Sequence, residues 1–317
     1  MRLNDHAREL LGDAGISPAE WARRNYYANG EWGGDACGCP DDRCIGYHHE
    51  DDEACGCLPA LLDTEQERSS KNMTEKQWPR TDADVAATVR TAVATRRGSR
   101  AHNMDAAATF RSSAGIVTAA VVDGIGNDAA GAETMRELAR IAVRIGAAKG
   151  ALAGVLAAAA YIDDPGIDDY QPDGVLVLAL AEPGEPTSLA WVGDSHAYGW
   201  DGTALRRRTD PHTMGAFLRQ NPEAEELAVQ HDNWVRLSLD SATPTTVALS
   251  EAPAGELVLL VSDGLDDIPL PELQILTAQH QHDPQALADA VVAAVPHHDE
   301  GYRDDATAIV LAPATTT

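Results

Sequence analysis

Five aspartates stand at the edges of apolar runs, where side chains of this type can gather a metal ion. "VVDGIGN" ends a β-branched run with Asp123-Gly124, and "LLVSDGLDD" repeats the device with Asp263-Gly264. "WVGDSHAYGW" reverses the order as Gly193-Asp194, "RDDATAIVL" opens on Asp304-Asp305, and Asp105 opens the run that follows "RAHNM". A single Asp-Gly is an ordinary turn signal, and Asp123-Gly124 is read here as a turn that closes a strand. Strands that end together would bring such carboxylates onto one rim. Unpaired carboxylates in water-poor surroundings either rise in pKa or recruit cations. Hard divalent ions with oxygen ligands, Mn²⁺ or Mg²⁺, suit that donor set. Glycine adds to it, because a backbone without Cβ lets a carbonyl approach an ion closely.

The elements that must carry these residues begin near Val85. "VAATVRTAVATR" and "DAAATFRS" predict strands joined through the turn "RGSRAHN", and "GIVTAAVVDG" predicts a third, buried one. Asn127 or Asp128 can cap an Ala-rich helical region running to about Ile162. Within it Gly146, Gly150 and Gly154 recur every four residues, a spacing that permits close packing. "GVLVLALAE", "TSLAWVGD" and "HAYGWDGTALRRR" read as antiparallel hairpins with a tight turn at "WDGT". Helical segments are expected near 212–220 and 222–230. "GELVLLVSDGLDD" is a buried strand, "PELQILTAQH" and "PQALADAVVAAV" are helices opening on Pro, and "DDATAIVLA" is the last strand. Two strand clusters with two helical blocks predict an α+β layered sandwich.

In this order, "RAHNMD", "VVDGIGN", "WVGDSHAYGW", "LLVSDGLDD" and "RDDATAIVL" resemble the motifs of the metal-dependent (PPM, or type 2C-like) protein phosphatases. The resemblance covers residues 84–313. It implies an α-β-β-α sandwich of two antiparallel sheets flanked by helices, with a two-metal centre between the sheets. It implies that Asp123 bridges two Mn²⁺ or Mg²⁺ ions, that the Gly124 carbonyl binds one, and that Asp263 and Asp304 complete the other. Asp194, with Asp263, would hold a third, weaker ion. Asp105 would orient water and Arg100 would grip the phosphate, its forked guanidinium meeting two oxygens at once. The implied activity is that of a serine/threonine protein phosphatase, hydrolysing phosphomonoesters of phosphorylated proteins with a hydroxide held between two cations. The alternatives are a pseudophosphatase acting as a signalling module and a phosphatase for a small molecule. "LRRRTDPHT" loosely matches the segment that leads into the family's variable flap, and no catalytic role is assigned to His212.

Five positions depart from the family pattern. Ile125 stands where many members have a His that protonates the leaving group, and Ile cannot titrate. Met104 replaces Glu or Gln, Asn127 replaces Gly, His196 replaces Arg, and Asp266 replaces Trp or Thr.

Residues 1–80 form a separate N-terminal region and 81–317 the phosphatase-like domain. Ser17, Pro18 and Glu20 give a helix start signal. A Cys/His-rich extension follows, with Cys37, Cys39, Cys44, Cys55 and Cys57 around His48 and His49. Thiolates and imidazoles so clustered suit structural Zn²⁺. A redox-responsive thiol cluster, an iron–sulfur site and free cysteines are the other readings, and the region could dock a protein partner. A net charge of −26 argues against nucleic acid and anionic membrane surfaces. "MRLNDHARELLGDAG" has no signal-peptide core and "GALAGVLAAAAYI" is too short to span a bilayer, so a cytoplasmic protein is expected.

Overall fold

The computed structural model describes residues 89–162, 172–296 and 303–313, all within the second of two units of the chain, Thr81–Thr317. The expected N-terminal helix and the Cys/His cluster lie outside the described residues.

Two five-stranded antiparallel sheets make the domain. The first has the order β1 (Arg90–Arg96), β10 (Ala306–Ala312), β9 (Leu257–Val261), β6 (His196–Trp200), β7 (Leu205–Arg207). The second runs β2 (Asp105–Arg111), β3 (Val117–Ile125), β4 (Asp173–Ala181), β5 (Thr187–Val192), β8 (Ala248–Ala252). Helices α1 (Ala129–Lys149) and α2 (Ala151–Ile162) cover the outer face of the second sheet. Short helices α3 (Met214–Leu218) and α4 (Glu225–Val229) lie between β7 and β8, and α5 (Leu270–His280) and α6 (Pro284–Ala294) cover the first sheet. The layers are α-β-β-α.

Period-2 alternation decides which residues look where. Val117, Ala119 and Val121 of β3 meet Leu260 of β9 and Ile309 of β10 between the sheets. Ala120 and Val122 point the other way, onto Met135, Leu138 and Ala142 of α1. Because both faces are covered, these strands read as continuous apolar runs rather than alternating ones. The same parity puts Asp123 on the inter-sheet face beside Val121.

Three expectations need correction. Asp123-Gly124 is not a turn: β3 runs on to Ile125, with Asp123 paired to Val175 and Gly124 to Gly174. The chain turns only at Gly126, whose φ of 137° favours glycine. β1 and β2 are not a hairpin. They lie in different sheets, and the 97–104 loop between them crosses the domain, held by Ser99 N–H donating to the Arg303 carbonyl at 2.8 Å. The Ala-rich helical region is two helices, broken at Gly150 where φ is 99°. Asp128 caps α1 by accepting from Gly131 N–H at 2.8 Å. Gly146 and Gly154 do pack closely: a Cβ on Gly154 would lie 2.5 Å from the Ala142 carbonyl oxygen and 3.0 Å from the Gly146 Cα.

Candidate metal centre and active site

Asp105 and Asp123 face each other as direct cross-strand partners on β2 and β3. Like charges so placed are destabilising in a plain sheet. The opposite wall comes from the first sheet, where Ser262 and Asp263 leave the end of β9 and Asp304 and Asp305 lead into β10. Ser262 Oγ bridges the two sheets. It donates to Asp105 Oδ2 at 2.7 Å and accepts from Thr307 N–H at 3.0 Å. Asp194 sits in the Gly193–Ser195 link that carries the chain from β5 in one sheet to β6 in the other.

The electrostatics follow from this crowding. Burial pushes the Asp105 carboxyl up to about 7, against donors on Ser262 and Thr307 and with Asp263 and Asp305 nearby. Asp123 is raised well above the usual carboxylate range by burial, then by the charges of Asp263 and Asp105. Asp194 is pushed up to about 7 by burial and by Asp263. Burial raises Asp263 too, while a side-chain hydrogen bond with Asp123 opposes the shift. Asp105 is 6% exposed, and its Oδ1 is buried without a hydrogen-bond partner. Among the described residues no three acidic, imidazole or thiol groups close into a ready ligand cage. A buried set of oxygen donors, mutually repelling and with one orphaned acceptor, fits a divalent cation better than any neutral partner.

Arg100 does not stand clear of this set. Its Nη2 lies 3.1 Å from Asp304 Oδ1, both side chains being 29% exposed. The neighbouring Asp305 has a different task. Its Oδ1 accepts from Gly98 N–H at 2.7 Å and its Oδ2 from Met104 N–H at 2.8 Å, so it anchors the loop that carries Arg100. A Cβ on Gly264 would meet the Asp305 carbonyl oxygen at 1.8 Å, and one on Gly124 would meet Met135 Cγ at 2.6 Å. These glycines are required by contact with neighbouring elements as well as by any ion.

His212, given no role from sequence, fixes the Gly193-Asp194 link. Its Nδ1 accepts from Gly193 N–H at 3.2 Å, and the His212 backbone N–H donates to the Gly193 carbonyl at 2.9 Å. The ring stacks on Trp191, 6.0 Å between centroids. Burial and Arg236 lower its pKa, which favours the neutral ring that such an acceptor needs. Of the departures, Ile125 is exposed, Met104 is buried, and Asn127 Oδ1 accepts from His102 N–H at 3.1 Å. His196 and Asp266 are bonded to each other. The proposed zinc ligands Cys37, Cys39, Cys44, Cys55, Cys57, His48 and His49 lie outside the described residues.

The fold is that of the PPM-type serine/threonine phosphatases. The chain is similar to the serine/threonine phosphatase Stp1 from Staphylococcus aureus, at 19% identity and TM-score 0.59, covering 71% of this chain and 95% of that one. It is similar to the PPM Ser-Thr phosphatase MsPP from Mycobacterium smegmatis in complex with cacodylate, at 23% identity and TM-score 0.54, covering 71% and 99%. The catalytic domain of the serine threonine protein phosphatase PstP, in complex with 2 manganese ions, matches at 22% identity and TM-score 0.54, covering 72% and 99%. Residues 212–313 match the family Stage II sporulation protein E (SpoIIE). None of the curated proteins matches by sequence. Among the described residues no helix is long and apolar enough to cross a membrane.

Proposed function

We propose that this chain is a serine/threonine protein phosphatase dependent on Mn²⁺ or Mg²⁺. The observation that carries the reading is the carboxylate set drawn from both sheets, with Asp105 opposite Asp123 and the charge of Asp263 close enough to raise Asp123. Asp123, the Gly124 carbonyl, Asp263 and Asp304 would hold two ions, and Asp194 with Asp263 a third. When bound, the ions supply a water activated at neutral pH and offset charge on the phosphoryl oxygens. Asp105, anchored by Ser262, orients that water. Arg100 is placed to exchange Asp304 for a phosphate oxygen, a partner its guanidinium fits equally well.

The test is phosphate release from phosphoserine and phosphothreonine peptides and from aryl phosphates by Mn²⁺-loaded protein. Release is expected, lost with chelator and in Asp123→Asn. Cation uptake with no turnover on any substrate would instead support a non-catalytic binding module. Ile125 and Met104 favour that second reading, because each replaces a polar group of the family pattern. Turnover confined to small phosphorylated metabolites would mark a small-molecule phosphatase.

A further inference from the structure

Two of the chain's departures from the phosphatase pattern, His196 and Asp266, form one unit. His196 is fully buried at the start of β6, and its Nε2 lies 3.0 Å from Asp266 Oδ2. An Arg207 guanidinium nitrogen from β7 lies 2.7 Å from Nδ1 and 2.7 Å from Nε2 of the same ring. Arginine only donates, so Nδ1 takes the acceptor role and Nε2 keeps its hydrogen for the Asp266 carboxylate. The position of the bond is what matters. The ladder between β6 and β9 ends at the pair His196↔Val261. Beyond that pair both chains leave the sheet, one back through Ser195 to Asp194 and the other on through Ser262 to Asp263. The His196–Asp266 bond adds a side-chain rung where the backbone rungs stop, between the two segments that carry these carboxylates.

We propose that this rung positions Asp194 against Asp263 and so sets the affinity of the centre for divalent cations. The inference rests on the phosphatase reading above. Neither residue touches the substrate; both act through the two aspartates. A plainer explanation would be charge alone, because the Asp266 carboxylate also raises Asp194 and Asp263. Two substitutions separate the possibilities. Asn at 266 loses the charge but can still accept from His196, whereas Ala loses both. Asp266 is 52% exposed, so neither change threatens folding as a substitution of the buried His196 would.

The experiment is calorimetric titration of Mn²⁺ into chelator-stripped wild type, Asp266→Asn and Asp266→Ala, with thermal unfolding of each in EDTA. Asp266→Asn is expected to bind Mn²⁺ within about twofold of wild type, and Asp266→Ala about tenfold or more weakly, the usual scale for groups that orient ligands. Equal weakening in both variants would overturn the proposal in favour of charge. Unchanged affinity in Asp266→Ala, with or without a lower unfolding temperature, would overturn it in favour of a purely structural contact. If wild type binds no Mn²⁺, the phosphatase reading falls together with this one. If wild type binds and turns over while Asp266→Ala binds equally well, only the positioning role falls.

Discussion

Asp105 should make the metal-free protein less stable as pH rises, and its amide replacement should undo this. The carboxyl is 6% exposed and pushed up to about 7 from an ordinary 3.8, with burial the largest cause. Folded protein therefore holds this proton across a range where unfolded chain has released it. Stability contributed by the protonated group is complete below about pH 4. It declines as pH rises towards 7 and is gone above it. The gap is roughly 3 pH units, and at about 1.4 kcal/mol each the charged side chain costs the fold about 4 kcal/mol at pH 8. Asp194, also pushed up to about 7, acts in the same direction. Asp105→Asn keeps the shape and an acceptor for Ser262 while removing the charge. In EDTA, urea unfolding should show the variant close to wild type near pH 4 and more stable by a few kcal/mol at pH 8. Saturating Mn²⁺ should narrow the gap at pH 8, because nearby cations offset the Asp105 charge while the variant keeps every residue assigned to hold the ions. A wild type equally stable at both pH values without metal, or a variant weaker than wild type at pH 8, would refute the account.

Two further outcomes are expected. Gly264→Ala puts a methyl 1.8 Å from the Asp305 carbonyl oxygen, backbone against backbone, and should cost about 3 kcal/mol or more, read as a lowered urea midpoint. Ile125→His would restore a titratable group next to Asp123-Gly124. It should raise kcat for phosphoserine peptides about tenfold or more, while turnover of aryl phosphates, whose leaving groups need no proton, stays near wild type.

The layered sandwich was legible because fully buried strands leave long apolar runs and their ends carry Asp and Gly. What the runs do not encode is which sheet a strand joins. β1 and β2 look like a hairpin because both are short, apolar and separated by a glycine-containing loop. Only the pairing of β1 with β10, more than two hundred residues away in sequence, sends them apart. Asp123-Gly124 looked like a turn because Gly is costly inside a strand. Here it is tolerated because Gly174 lies opposite and Met135 fills the space above. Asp304 and Asp305 are adjacent and chemically identical, and only the resemblance assigned the ligand role to Asp304. The split between them comes from strand parity and from the amides of Gly98 and Met104, which lie two hundred residues earlier. His212 carried no signal at all, since its partner is a backbone amide in another loop.

Among the described residues the layer between the sheets is built mainly from Ala and Val, among them Ala119, Ala179 and Ala197, with Trp191 the one bulky aromatic. The carboxylates hang from both sheets, so the thickness of this layer is also the gauge of the centre they form. Tolerance to apolar substitution there should track volume. A methyl traded for an isobutyl acts as a shim under one jaw of a vice, opening the grip on the ion while every ligand stays in place.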